Sequence, residues 1–546
     1  MQSNTSSKSR GRQVVIVGAG PTGLALAIEL GTRGIDCIVM ERQERRGAAP
    51  RAKTTNVRTR ELLRRWGIAG ELARLAPFGI DYPSDIHFVT RLAGYSLVRF
   101  ADALNCSPVR DPRYSEHAQW VPQYKLEAVL KLKAQNLPAV RLQYGSEFLG
   151  FDQDQRGVHV RFKSLATGEE EIIRADYLIG ADGARSTTRD AIGASLIGSY
   201  GLSRNFNVIF HAPGLAEAHT HGPGIMYWQV NPDAPSTIGP MDEGDLWYFV
   251  PTHLPPDVEL TGEEAAALIR RSTGIDLPYR ILSSEVWIAS RLLADRYRKG
   301  RVFLAGDACH LHPPYGGYGM NMGMADAVDL GWKIAAVLQG WGGPALLDSY
   351  EVERRSVHEI VLEESVSNHA ILANQLLREG IEEATVEGEA IRQEVAELIR
   401  RVKAREFYAL GVVLGLRYRG SPVVADDSTC VTWTMSREYV PSAAPGSLAP
   451  HAWLDDGGSL YDRFGQGFTL LVLDDLDGAD IEVARREAER TETPLEIVRL
   501  SDPRLLALYE ASRVLIRPDQ YVAWRGNLWT DAGLLSFASG RPRNAG

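Results

Sequence analysis

The stretch from Gln13 to Glu41 limits what this chain can fold into more than any other. Gln13 to Val17 is a short apolar run that ends in Gly18-Ala19-Gly20-Pro21-Thr22-Gly23. Such a run, closed by glycines, reads as a buried parallel strand. Pro21 falls in the first turn of the following helix, where its missing N–H does no harm. Leu24, Ala25, Ala27, Ile28 and Leu30 give that helix an apolar face. Gly34 stands where the helix should end, and Cys37-Ile38-Val39-Met40 reads as a second strand. The whole is a right-handed βαβ unit. Its turn, with Pro21 and Thr22 inside it, brings backbone N–H groups and a helix N-terminus to a pyrophosphate. Gly18, Gly20 and Gly23 allow the tight bend and the close approach. Glu41 ends the second strand, where a carboxylate accepts hydrogen bonds from a ribose, with Arg42 beside it. The carboxylate would repel a 2′-phosphate, so the pocket suits the adenosine ribose of FAD or NAD rather than NADP.

Two later glycine segments extend this reading. Asp182-Gly183-Ala184-Arg185-Ser186 follows the apolar strand Tyr177 to Gly180. Alone it is a capped turn with two solvated arginines, Arg185 and Arg189. Gly306-Asp307-Ala308-Cys309-His310 follows the strand Val302 to Ala305, and Asp307 is placed to bond a ribityl-like chain. Next comes His312-Pro313-Pro314-Tyr315-Gly316-Gly317-Tyr318-Gly319-Met320-Asn321, a loop that feeds a helix at about Met322. A helix N-terminus aimed at a flavin stabilises negative charge on its reduced ring. In this order, the three segments predict one flavin site spread over most of the chain.

Composition sets outer limits. A chain of 546 residues is too long for one ordinary core and predicts two or three domains. A formal charge of −9, from 60 basic and 69 acidic residues, argues against nucleic acid as a partner. Cys37, Cys106, Cys309 and Cys430 show no CxxC or metal-type spacing, so a reduced, cytoplasmic protein with neither disulfides nor a metal site is expected. No apolar run approaches the length of a membrane span. Residues 1–12 are polar and read as a disordered tail.

Further along, Leu126 to Lys133 reads as helix and Val158 to Phe162 as a half-exposed strand. From 198 to 287, short apolar stretches (Phe206–Phe210, Ile225–Val230, Leu246–Val250) alternate with Pro, Gly and Asp, which predicts an inserted antiparallel β-sheet. Met324 to Gln339 and 353–405 have helical spacing. Residues 418–445 read as a linker, and 446–546 as a third α/β unit. Its expected strands are Phe468–Leu473, Leu495–Leu500, Val514–Arg517 and Tyr521–Trp524.

These residues resemble the single-component flavoprotein aromatic hydroxylases, the fold of para-hydroxybenzoate hydroxylase. The likeness covers about Val14 to Arg355. It includes the three glycine segments, Asp326-Ala327, Trp332-Lys333 and Leu347 to Glu351 with Glu353-Arg354. Pro50-Arg51-Ala52 with Asn56, Arg58 and Thr59 is similar to the phenol-hydroxylase segment after the second strand. Pro122-Gln123 resembles the segment whose glutamine touches the flavin. Arg517 to Arg525 resembles the ending of members with a thioredoxin-like third domain, such as phenol, dichlorophenol and polyketide hydroxylases. Lys53 departs from the dichlorophenol branch, where histidine is expected, and Met241 to Asp245 is shorter than usual.

The resemblance implies an α/β fold. A Rossmann-type FAD domain (13–197 and 288–417) would hold the inserted substrate-binding sheet (198–287), and a thioredoxin-like α/β domain (446–546) would follow. It implies an FAD-dependent monooxygenase using NADPH or NADH and O2 on a small phenolic substrate. A tailoring oxygenase of polyketide or alkaloid synthesis is the alternative. It implies FAD contacts from Arg51, Gln123, Asp182, Asp307, Pro314, Gly316, Gly319, Met320 and Asn321, besides the first turn and Glu41. For substrate it points to Tyr227, Gln229, Met241 and Pro313. His312, Tyr227 and Asn56 are the candidates for catalysis. A homodimer is expected for an enzyme of this size. With no cysteine after Cys430, the third unit cannot do dithiol chemistry.

Overall fold

The structure, a computed structural model, describes residues 12–43, 52–252, 254, 258–426, 434–475, 478–529 and 533–542. Residues 1–11 of the expected tail, Arg51 and Cys430 lie outside the described residues, and Arg12 already belongs to the first strand.

The βαβ unit forms as the sequence predicts: strand Arg12–Val17, helix Pro21–Thr32, strand Cys37–Glu41. Five strands run parallel in the order Val302–Leu304, Glu170–Gly180, Arg12–Val17, Cys37–Glu41, Val140–Tyr144. Val14–Val17, Cys37–Met40, Tyr177–Gly180 and Val302–Leu304 are buried, as in a sheet covered on both faces, while the edge strand Val140–Tyr144 is partly exposed. The three glycine segments all leave the same end of this sheet. Helix Pro21–Thr32 packs beside helix Tyr318–Leu338, so the first and third segments are neighbours.

The second sheet has eight strands, in the order His310–Leu311, Arg280–Ala294, Leu196–His211, Leu246–Pro251, Ser236–Asp242, Met226–Gln229, Ile86–Val89, Ser96–Phe100. It differs from expectation in two ways. It recruits Ile86–Phe100 from well before the insertion, and Met226–Gln229 pairs with Ile86–Val89 in parallel. The sheet is therefore mixed. Its two longest strands also run past the expected limits of 198–287. The third segment supplies the edge strand His310–Leu311, which ties the parallel sheet to the inserted one.

The third unit carries a four-stranded sheet, ordered Leu495–Arg499, Phe468–Val472, Arg513–Ile516, Val522–Gly526. Only the first pair is parallel. Tyr418, read as the start of a linker, is buried instead. It stacks on Tyr521 at 4.2 Å and accepts a hydrogen bond from Arg354 at 3.2 Å. A linker signature in composition says nothing of what its aromatic residues pack against.

The third unit is locked to the first by buried charge. Arg517 donates to Glu353 at 2.6 Å, to Asp329 at 2.9 Å and to Asp519 at 2.6 Å. Lys333 donates to Asp329 at 2.8 Å and to Glu353 at 2.6 Å. All five side chains are buried. Removing one partner strands the other charges without solvent, which costs about 3–5 kcal/mol. Arg517→Ala is therefore expected to lower stability by about that amount in denaturant unfolding and to speed proteolysis of the third unit. Unchanged unfolding would show that the network carries no such load.

Candidate functional site

The first glycine turn is built as its chemistry requires. Gly18 has φ +104°, and a Cβ there would lie 2.3 Å from the Ala181 carbonyl oxygen. A Cβ on Gly23 would lie 2.0 Å from the Gly18 oxygen, whereas one on Gly20 would meet nothing within 4 Å. The turn is thus closed behind and open at Gly20, as a cradle for pyrophosphate must be. Glu41 accepts the Ala19 N–H at 2.9 Å and the Gln43 N–H at 3.0 Å, which aims its carboxylate at the turn. Arg42 stands exposed on the surface beside it.

The other segments meet the same turn. Ala181 N–H donates to Val17 O at 2.8 Å, and Ala305 N–H to Gly180 O at 2.9 Å. The Thr22 side chain fills the space at Gly306 and Gly323, where a Cβ would approach Thr22 Oγ1 to 2.5 and 2.4 Å. Arg189 reaches the carbonyls of Ala184 and Ala308, bridging the second and third segments. Asp307 sits in the single turn Gly306–Ala308, half-buried. Beyond it the loop closes with Gly317 N–H on Pro314 O at 3.1 Å. Gly316 and Gly317 take positive φ, and helix Tyr318–Leu338 starts with no side-chain cap, with Gly319 and Met320 in its first turn. Its first N–H groups are free to face a ligand.

Several expected ligands are committed elsewhere. Asp182 accepts from Ser186 Oγ at 2.5 Å and from Thr188 N–H at 2.9 Å, so its carboxylate shapes its own turn. Asn56 caps helix Val57–Arg65 by accepting the Thr59 N–H at 2.9 Å, which commits its side chain to the helix start. Gln123 accepts the Ala52 N–H at 3.1 Å and donates to Glu127 at 2.8 Å. Asn321 accepts the Asn56 N–H at 3.0 Å and donates to the carbonyls of Thr54 and Gly317, at 3.0 and 2.6 Å.

The inserted sheet corrects two substrate assignments. Tyr227 and Gln229 lie on the face covered by helix Gly262–Thr273, away from the loop. Tyr227 donates to Gly222 O at 2.6 Å, and Gln229 bonds Leu92, Ser236 and Ser272. Period-two alternation puts Trp228 on the opposite face, with Met241 and Tyr248. That face meets the loop, since Tyr315 packs against Trp228 at 6.3 Å between ring centres. Pro313 is buried at the loop's start and Pro314 is exposed. The aromatic wall of Trp228, Tyr248 and Trp120 had no local signal in the sequence.

His312 is also corrected. Burial beside two further imidazoles, His310 and His358, holds it well below the usual histidine range. Neutral at ordinary pH and reluctant to take a proton, it is a poor general base. It belongs to a group with His310 and His358, whose ligand-type atoms lie within 4.8 Å of one another. His310 and His358 each bond Asp326, at 2.8 and 2.9 Å, and their rings stack at 3.7 Å.

Sequence families place this geometry. The family described as "FAD binding domain" matches residues 12–365, and "Aromatic-ring hydroxylase, C-terminal" matches residues 442–539. The chain belongs to the FAD-dependent aromatic-ring hydroxylases. It is a class A flavin monooxygenase, with FAD as its cofactor. It is 33% identical to the tetracenomycin B2 monooxygenase-dioxygenase of Streptomyces olivaceus, over 95% of this chain and 96% of that one. It is 30% identical to the 2,4-dichlorophenol 6-monooxygenase of Cupriavidus pinatubonensis, over 94% and 92%. The structure of the rebeccamycin biosynthetic enzyme RebC with reduced flavin matches with a TM-score of 0.88 at 34% identity, over 97% of this chain and 99% of that one.

Two outcomes follow for this hydroxylase. Gly23→Ala forces the turn open, so the purified variant should retain little flavin by absorbance. Normal flavin content would show that the turn tolerates a Cβ. The second concerns acid. Burial pulls His358 from 6.5 to about 3 and His451 and His219 to about 4. Below about pH 6.5 the unfolded chain then binds more protons than the folded one, so stability falls as pH drops toward 4. His358→Gln should remove about one proton from that dependence, or about 1.4 kcal/mol per pH unit, in denaturant unfolding at pH 5. An unaltered slope would place the proton uptake elsewhere.

Proposed function

We propose that this monooxygenase hydroxylates a phenolic aromatic substrate held between the Pro313–Gly319 loop and the aromatic face of the inserted sheet. The observation that carries this reading is that wall: Trp120 and Tyr248 lie 6.2 Å apart in one buried cluster with Trp228, against which Tyr315 of the loop packs. Flat apolar walls bind flat rings and keep water from the reacting carbon. When bound, FAD supplies the electron transfer and the activation of oxygen. The overall change is an aromatic C–H, O2, NADPH or NADH and a proton giving a C–OH, water and the oxidised nicotinamide.

The chain's own residues hold and orient. The turn at Gly18 to Gly23, Glu41 and Asp307 hold the dinucleotide. The first N–H groups of helix Tyr318–Leu338, with Gly319 and Met320, offer positive charge to the ring's pyrimidine end. Arg51 and Arg42 belong to the same reading, as flanking cations for the pyrophosphate. A second reading, a tailoring oxygenase acting on a larger polyketide or alkaloid, draws on relatives of that kind at 33–34% identity against 30% for the dichlorophenol enzyme. No helix among the described residues is long and apolar enough to cross a membrane. Dependence on reduced nicotinamide and the buried free thiols of Cys37, Cys106 and Cys309 suit the cytoplasm, and a homodimer belongs to the same proposal.

The test is NADPH and NADH consumption in air by FAD-loaded protein, with panels of substituted phenols and larger polyketide-like phenols, and products weighed for one added oxygen. A simple phenol that speeds consumption and gains oxygen supports the first reading. Oxygenation of the larger compounds alone favours the second, and consumption that no phenol stimulates overturns both.

A further inference from the structure

Three histidines meet behind the loop that leads into helix Tyr318–Leu338, and they bring more lone pairs than donors. His310 opens the edge strand His310–Leu311, His312 follows it, and His358 comes from helix Pro344–His369. Each can offer one ring nitrogen, and the three nitrogens lie within 4.8 Å of one another. His310 and His358 are fully buried. His312 is half-buried as a residue, but both of its ring nitrogens are out of solvent. The rings of His310 and His358 stack with 24° between their planes, and His312 is turned across them, by 69° and 52°.

The hydrogen bonds of the cluster leave it unbalanced. Nε2 of His310 and Nε2 of His358 each lie against an oxygen of Asp326, at 2.8 and 2.9 Å. The same carboxylate takes the Gly306 N–H and the Arg354 Nε–H, so it is the acceptor for all four groups. Both rings therefore carry a proton on Nε2, which leaves a bare lone pair on Nδ1 of the neutral imidazole. Among the described residues neither Nδ1 has a partner, and neither nitrogen of His312 has one. The cluster thus presents three lone pairs and a single N–H, held where unpaired polar atoms are costly. A water molecule brings two protons and falls one short of the lone pairs. One metal cation accepts from all three.

The surroundings have the form that such a site takes. A ligating histidine donates its other N–H to a carboxylate, which fixes the tautomer and the ring. Asp326 does this for two rings at once. Imidazole suits zinc and its neighbours in the first transition row. A tetrahedral zinc holds nitrogens about 2.0–2.1 Å away, and so about 3.4 Å from one another. The three nitrogens therefore draw in on binding, and the stacked pair tilts apart on its bonds to Asp326. The expectation that this chain has no metal site rests on the spacing of its cysteines. The histidine cluster is tertiary, since His358 reaches the other two only through folding.

We propose that His310, His312 and His358 form a binding site for one divalent metal ion of the zinc class, with Asp326 as the outer partner of two ligands. The site goes beyond the hydroxylation proposed above and does not depend on which substrate is hydroxylated. A metal here ties the start of the loop to helix Pro344–His369.

The test uses FAD-loaded enzyme treated with a chelator, and Zn2+ alone as the probe. Wild type should take up one zinc per chain, and X-ray absorption at the zinc edge should show three imidazole nitrogens around it. His312→Ala and His358→Ala should each weaken binding by at least about 10- to 100-fold, the loss that disturbing even an outer partner of a metal ligand causes. Zinc should raise the melting temperature of wild type and leave that of both variants where it is. Flavin content and melting of the metal-free variants separate loss of the site from misfolding. Wild type that takes up no zinc, or no more than the variants do, overturns the site, as does bound zinc without imidazole ligands. Hydroxylation of a phenol by the metal-free enzyme leaves the proposed function standing in each of those cases.

Discussion

Asp326 is the interaction on which the rest of the site depends. It is fully buried on helix Tyr318–Leu338 and accepts four hydrogen bonds: from Gly306 N–H at 3.0 Å, His310 at 2.8 Å, Arg354 at 2.7 Å and His358 at 2.9 Å. Burial pushes its carboxyl up, but His358, Arg354 and His310 outweigh that and hold it well below the usual range. A charge this deep persists only when every lone pair is used. Here each partner is also a structural joint. Gly306 fixes the third glycine segment, His310 begins the loop, and Arg354 and His358 belong to helix Pro344–His369. The loop that leads into helix Tyr318–Leu338 is therefore held from behind by one carboxylate.

One turn further along the same helix, Asp329 begins a second buried cluster, which reaches the third unit through Arg517. Burial pushes Asp329 well above its usual range, and repulsion from Glu353 and Asp519 adds to this against the pull of Lys333 and Arg517. Glu353 moves the other way, because Arg517 and Lys333 outweigh its burial. The two carboxyls are thus pushed in opposite directions, the pattern of close acids that share two cations among three. The third unit's part in this is mechanical. Arg517 and Asp519 plug the space between two helices, and Arg58, on the helix after the second strand, donates to Gln520 at 2.7 Å and to Asp519 O at 2.8 Å. The unit clamps helices Tyr318–Leu338, Pro344–His369 and Val57–Arg65 together.

The sequence makes legible whatever depends on local pattern. The βαβ unit, the strand before the third glycine segment and all four strands of the third unit lie where spacing predicts them, within a residue or two, while the strand before the second segment starts at Glu170, seven residues ahead of its apolar run. What it hides is tertiary. Alternation shows that Tyr227 and Gln229 share a face and that Trp228 lies opposite. It cannot show that helix Gly262–Thr273 covers the first face and leaves the second to the loop. Ile86–Phe100 joins the sheet from outside the insertion, so no boundary read from composition would include it. Asp182 and Asn56 carry side chains that suit a ligand and a helix cap equally, and local hydrogen bonding decides for the cap. His358 sits a whole helix away from His310 in sequence, and only folding stacks the two rings.

The residues that sequence resemblance singles out in the middle of the chain acquire a common purpose in the structure. Gln123 accepts the Ala52 N–H, and its own N–H donates back to Ala52 O at 3.0 Å. Asn321 holds Thr54 through its carbonyl and Asn56 through its N–H. All of these bonds fall on residues 52–56, a segment whose own sheet contact is a ladder of two residues. So short a ladder could not fix a side chain by itself. Side-chain amides from two helices do it instead, and the side chain they fix is Lys53. The amides do more here than touch a cofactor. They hold rigid a stretch that a two-residue ladder leaves loosely placed, and with it the Lys53 ammonium over the Tyr248 ring.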